Sequence, residues 1–175
     1  MRPRYEYISR LTKQLRTEAN LDDSIPVDLS KILNAYCINW ELRDLDNNVS
    51  GFSTATSEQK LIVVNKANHY NRRRFTVAHE LGHLLLHFDN VMNLNTGPIY
   101  YRDEKSSSGE YWREIEANYF AGCLLMPSQS IEDLIGQDRN AVSEDKIAEI
   151  SKKFRVSTQA VCVRLSQMGR LGRTK

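Results

Sequence analysis

Residues 74–87 read Arg74-Phe75-Thr76-Val77-Ala78-His79-Glu80-Leu81-Gly82-His83-Leu84-Leu85-Leu86-His87. With Phe88, the segment places apolar residues on nearly every side of a helix, and a helix apolar all round is buried. Set into it are His79 and His83, four residues apart and therefore on one face. Glu80 lies about 100° further round. Burying two imidazoles and a carboxylate without partners is costly, and one metal ion would supply partners for all three. Gly82 in mid-helix costs about 1 kcal/mol relative to alanine, which the close approach of another backbone would explain. His87 continues the same face, but eight residues of rise put it about 12 Å along the axis from His79. It cannot share one ion with both other histidines.

His79-Glu80-Leu81-Gly82-His83 is an H-E-x-x-H motif, the pattern in which two histidines hold zinc and the glutamate acts as a base toward water. The chain has only four histidines, so chance seldom produces this spacing. A catalytic zinc site takes three protein ligands and leaves one position open. Cys37, Cys123 and Cys162 are scattered singly and read as small core residues; His69 has no spacing partner. The carboxylates downstream do better, in Glu110-Tyr111-Trp112-Arg113-Glu114-Ile115-Glu116-Ala117-Asn118-Tyr119-Phe120-Ala121-Gly122-Cys123-Leu124-Leu125-Met126-Pro127. Pro127 ends this helix-compatible run. Glu114 and Glu116 point about 200° apart, so at most one of them faces the metal. Glu114 shares its stripe with Asn118 and with the small residues Ala117 and Ala121, which would let two helices pack closely. Spacing excludes neither Glu110 nor Glu116.

The run from Arg74 to His83, with His87, followed by Glu114-x-Glu116-Ala117-Asn118-x-Phe120-Ala121-x-x-Leu124-Leu125-Met126-Pro127, resembles the ImmA/IrrE family of metallo-endopeptidases. The paired motifs, in this order and at this separation, are far more specific than H-E-x-x-H alone. The resemblance implies a zincin-like metallopeptidase core in which His79, His83 and Glu114 hold one Zn2+ ion and Glu80 is the catalytic base. Asn118 matches a family position near the site, and His87 would pack behind the ligands. Two histidines and a carboxylate favour zinc over manganese or cobalt. The oxyanion helper such chemistry needs would come from Tyr100, Tyr101, Tyr111 or Arg72, and spacing does not choose among them. Members of the family typically cut a helix-turn-helix repressor encoded beside them, so the implied partner is a protein substrate of that kind. Two rival classes remain: a non-catalytic, metal-containing, antitoxin-like binding protein, and a DNA-binding regulator acting through a basic C-terminal segment.

The 175 residues fit one domain, or a domain with a small appendage, and 41% apolar composition supports a real core. We expect a metallopeptidase domain over residues 1–138 and a helical segment over 139–175, packed on it or appended to it. Nine of the 24 Lys and Arg but only three of the 22 Asp and Glu fall in residues 139–175, a local +6 against −4 elsewhere. Three cysteines without framework spacing fit a reducing compartment. The N-terminal residues lack the apolar region of a secretory leader, and no apolar run is long enough to span a membrane. A cytoplasmic protein is therefore expected.

Periodicity predicts a helix over residues 4–18 and another over 26–36. Strands are predicted at 37–42, 49–55 and 61–65, forming a small three-stranded antiparallel sheet packed on the helices in an α+β fold. An edge strand of that sheet could pair with an extended substrate. Residues 89–109, rich in Asn, Gly and Ser, join the two metal-binding helices and read as a flap beside the cleft or as a disordered segment. Ser143 and Ser157 are N-caps for two tail helices ending near Phe154 and Met168, with a helix-turn-helix look. DNA reading is one use of such a tail; a packing unit with a solvated basic face is preferred.

Overall fold

A computed structural model describes residues 2–56, 58–87, 108–136 and 142–171. Two helices come first, α1 (Tyr5–Glu18) and α2 (Leu29–Ala35). Helix α1 buries Ile8, Thr12 and Leu15 on one stripe, as its periodicity requires. Helix α2 begins at Leu29 rather than Pro26 because the Asp28 carboxylate accepts the Ser30 N–H at 3.0 Å and caps it there. Cys37 departs from expectation: it is exposed, at φ 52° in the turn leaving α2.

Strands β1 (Ile38–Arg43), β2 (Gly51–Ala55) and β3 (Lys60–Asn65) form one sheet in the order β1-β3-β2. The sheet is mixed, which corrects the antiparallel expectation: β2 pairs with β3 antiparallel, but β1 pairs with β3 parallel, Trp40 opposite Ile62. The reason lies in β3. Ile62, Val63 and Val64 are each at most 1% exposed, and a strand apolar on both faces takes the centre of a sheet. The chain must then cross the end of β3 to pass from β1 to β2. Buried Asn65 pins that crossing, donating from Nδ2 to the carbonyls of Leu45, Asp46 and Val49 at 3.1, 3.2 and 2.9 Å.

Helices α3 (Tyr70–Leu86) and α4 (Ser108–Leu125) carry the two motifs. They pack against each other closely at Gly82, where a Cβ would stand 3.3 Å from Ala117 Cα and 3.1 Å from the Phe120 ring. This is the close approach that the mid-helix glycine called for. On its other side α3 lies against β2, where a Cβ on Gly51 would stand 2.6 Å from Thr76 Cγ2. Leu81, Phe120 and Leu124 are fully buried with Ile8 and Ile62 in one core, each such side chain contributing about 1.5–3 kcal/mol.

Three shorter helices close the fold: α5 (Ser128–Ile135), which periodicity did not reveal, α6 (Glu144–Phe154) and α7 (Thr158–Gln167). Ser143 and Ser157 cap α6 and α7 as expected, accepting from Lys146 N and Ala160 N. Arg164 of α7 is 4% exposed. It donates to the Met126 carbonyl at 3.0 Å and to Ser128 Oγ at 2.8 Å, binding the tail where α4 gives way to α5. Asn71 of α3 holds the Val156 carbonyl at 3.1 Å. Among the described residues α7 has no exposed Lys or Arg, because Arg164 is spent inside. The tail is thus packed on the core, and its second helix offers no cationic face to a nucleic acid. The expected flap at residues 89–109 lies outside the described residues except at its last two. No described helix is long and apolar enough to cross a membrane.

Candidate metal centre

Helix α3 brings His79 and His83 to the face that meets α4, with Glu80 turned toward β2, and α4 brings Glu114 and Asn118. The Nε2 atoms of His79 and His83 stand 3.0 Å apart. Glu114 Oε1 is 3.0 Å from His83 Nε2, and Oε2 is 3.4 Å from His79 Nε2. Donors about 2.0–2.1 Å from one ion in a tetrahedron stand roughly 3.3–3.4 Å from each other. The triangle therefore has the size of three ligands around one small divalent ion, and its two imidazoles and one carboxylate are a set that suits zinc. The His83 side chain is 6% exposed, His79 16% and Glu114 44%, so the triangle opens to solvent on the Glu114 side. A fourth position can be reached there by water or substrate.

The electrostatics point the same way. Burial pushes the Glu114 carboxyl up, but hydrogen bonds to His79 and His83, and their charge, outweigh it and hold the group far below the usual carboxylate range. Burial pushes His79 down, but its bond to Glu114 and the charges of Glu80 and Glu114 prevail and raise it. The cluster favours a positive charge at its centre, a proton or a metal ion.

Asn118 Oδ1 lies 3.1 Å from His79 Nδ1. With the Nδ1 proton donated there, the Nε2 lone pair is left facing the triangle. Glu80 stays out of the triangle. It is 8% exposed, and its Oε2 accepts the hydroxyl hydrogen of Ser53, on β2, at 2.7 Å. His87, the last residue of the motif face, does not reach the triangle. Its Nε2 meets the carbonyl of Arg113 at 3.2 Å, and its ring lies 5.5 Å from that of His83. Burial and the neighbouring His83 push its pKa down to about 4.

Between Glu114 and Glu116 the choice follows from Arg4. Its guanidinium holds Glu116 from Nη2 at 2.6 Å and from Nε at 3.0 Å, its backbone N–H adds a bond at 2.7 Å, and Nη2 also reaches the Leu86 carbonyl at 3.2 Å. Glu116 thus lies toward Arg4 and His87 and ties α4 to the end of α3, leaving Glu114 to meet His79 and His83. Spacing gave no sign of Arg4 or Ser53. Ser53 could have been reached through the alternation of β2, which turns Gly51 and Ser53 to the same side; nothing local marks Arg4. Of the oxyanion candidates, Tyr100 and Tyr101 lie outside the described residues. Arg72 is engaged with Ser50, and Tyr111 is 65% exposed against Trp112.

The family model of the IrrE N-terminal-like domain, Peptidase_M78, matches residues 38–166. Two curated relatives, both named radiation response metalloprotease IrrE, are 28% identical in Deinococcus radiodurans and 30% identical in Deinococcus deserti, each over 110 residues, or 63% of this chain. The matches cover 32% and 37% of those proteins, so this chain corresponds to about a third of their length. Among solved structures, a transcriptional regulator of Mycobacterium tuberculosis has a similar fold, with a TM-score of 0.61 at 21% identity, covering 92% of this chain and 46% of that one.

Proposed function

The chain belongs to the family of the IrrE N-terminal-like domain, Peptidase_M78, and from that premise we propose that it is a zinc-dependent endopeptidase. It cleaves a specific intracellular protein, a helix-turn-helix transcriptional repressor being the substrate that fits best. The observation that carries this reading is the His79–His83–Glu114 triangle with Glu80 beside it but outside it. A purely structural cluster has no use for a buried carboxylate held one side chain away from three converging ligands.

His79, His83 and Glu114 would hold one ion. Such an ion supplies Lewis acidity toward a peptide carbonyl and toward water. The chain's own residues do the rest. Ser53 orients the Glu80 carboxylate, which takes a proton from the attacking water and returns it to the leaving amine. Asn118 fixes the ring of His79, and Arg4 with Glu116 fixes α4 against α3. Strand β2 is an edge strand, paired only with β3 among the described residues. Its open row of N–H and C=O groups can accept an extended peptide beside the centre. The exposed cationic face expected of a DNA-reading helix is not needed for this role, and the inward-bound Arg164 disfavours that alternative.

The test is to incubate the zinc-loaded chain with the purified product of a neighbouring helix-turn-helix regulator gene. Cleavage that a chelator stops and zinc restores is the expected result. Persistent cleavage in excess chelator would refute a metal-dependent mechanism.

A further inference from the structure

Strand β2 and helix α3 lie alongside each other in step. Arg72 donates to Ser50 Oγ from Nε at 3.1 Å and from Nη2 at 2.7 Å. Gly51 abuts Thr76, and Ser53 binds Glu80. As β2 advances from 50 to 53, α3 advances from 72 to 80, so a peptide laid on the open edge of β2 would also run along α3. Arg72 precedes His79 by seven residues. It therefore lies about 10 Å back along the axis and within about 20° of the same stripe. An extended peptide covers that distance in about three residues.

Arg72 is also placed against the local rules. The first turn of α3 contains no acid, and Arg72, Arg73 and Arg74 follow one another there. Cations near a helix N-terminus oppose the helix dipole. Arg74 has an inward role, donating to the Val27 carbonyl at 2.9 Å. Arg72 does not: it is exposed, its partner is a neutral hydroxyl, and it forms no ion pair among the described residues. A glutamine could make a bond to Ser50 without the charge. A cation kept at a helix N-terminus with only a neutral hydroxyl as its hydrogen-bond partner marks a functional position.

We infer that Arg72 is a specificity-determining residue, reading an acidic side chain about three residues from the cleaved bond. This rests on the peptidase reading above. The substrate class that follows is a segment with Asp or Glu at that spacing, presented in extended form along β2.

The test uses the zinc-loaded full chain and a synthetic mixture of random ten-residue peptides, the cut products being sequenced by mass spectrometry. Wild type, Arg72→Lys and Arg72→Glu are compared, with Glu80→Gln as the blank. Wild type and Arg72→Lys should favour Asp or Glu at the third residue on one side of the cut by about three- to fivefold, the size of an exposed ion pair. Arg72→Glu should favour Lys or Arg there. Its folding should hold, since an acid suits the first turn of a helix. The best-cut acidic peptide should also bind the Glu80→Gln protein, by fluorescence anisotropy, more weakly by the same factor once Arg72→Glu is added. An unchanged preference in Arg72→Glu would overturn the inference while leaving the peptidase reading intact. No cleavage above the Glu80→Gln blank would overturn both.

Discussion

Ser53, on the edge strand, donates its hydroxyl to Glu80 Oε2 across 2.7 Å and so joins the sheet to α3 at a carboxylate that stands beside the triangle but outside it. Without that bond the carboxylate is free to rotate toward the histidines. Ser53→Ala is expected to keep the metal and to lower kcat about tenfold or more, with little change in KM. Steady-state kinetics with metal content measured in parallel checks this; an unchanged kcat would remove Ser53 from the mechanism.

Gly82 sets the distance between α3 and α4. A methyl group there meets Phe120 at 3.1 Å and the Ala117 backbone at 3.3 Å. Gly82→Ala should therefore force the helices apart and cost about 1–3 kcal/mol, despite the better helix propensity of alanine. Because Glu114 rides on α4, zinc affinity should fall along with the melting temperature. Calorimetry and a competition titration with a chromogenic chelator measure the two effects.

Arg4 binds Glu116 and the end of α3 together. Arg4→Gln should leave the Glu116 carboxylate with its strongest partner gone; because Arg4 is half-exposed and its backbone N–H bond remains, the cost should be about 1–3 kcal/mol. Urea denaturation of the metal-free chain reads this directly, and a loss under about 1 kcal/mol would show that the clamp is weak.

His87 titrates in the opposite sense to His79. Its pKa is pushed from 6.5 down to about 4 by burial, so in that window the unfolded chain takes up a proton that the folded chain refuses. Stability is therefore lost as pH falls through 6.5 toward 4. His79 and Glu114 act otherwise: the raised imidazole contributes most below its ordinary 6.5, and the depressed carboxylate most above its ordinary 4.5. The wild type minus His87→Gln difference isolates residue 87. Between about pH 7 and pH 5 the wild type should lose more stability than His87→Gln, as read from urea midpoints of the metal-free chains. Equal losses would mean that His87 takes up its proton as readily in the fold as in the unfolded chain.

How much of this could be read from residues alone follows from how local each signal is. The spacing of His79 and His83, the offset of Glu80, the need of Gly82 for a close neighbour, and the caps Ser143 and Ser157 are all local periodicities, and the structure contains each of them. The mixed sheet has no local signature, because strand order depends on which strand can be buried on both sides. Ile62 to Val64 held that information as a continuous apolar run. Helix α5 is short and carries only Ile131 as a fully buried residue, so its periodicity is faint. Arg4 and Ser53 meet their partners across 112 and 27 residues, distances at which spacing carries no signal. Arg164 read as part of a basic tail, and only the packed fold shows its charge turned inward.

On this mechanism Glu80 does chemistry that the three ligands do not. The Glu80→Gln chain separates the two roles when it is assayed for bound zinc by mass spectrometry and for cleavage of the neighbouring regulator protein. One zinc ion per chain, as in wild type, with cleavage lowered by at least about a hundredfold is the result this account predicts. Cleavage at the wild-type rate with zinc in place would contradict it.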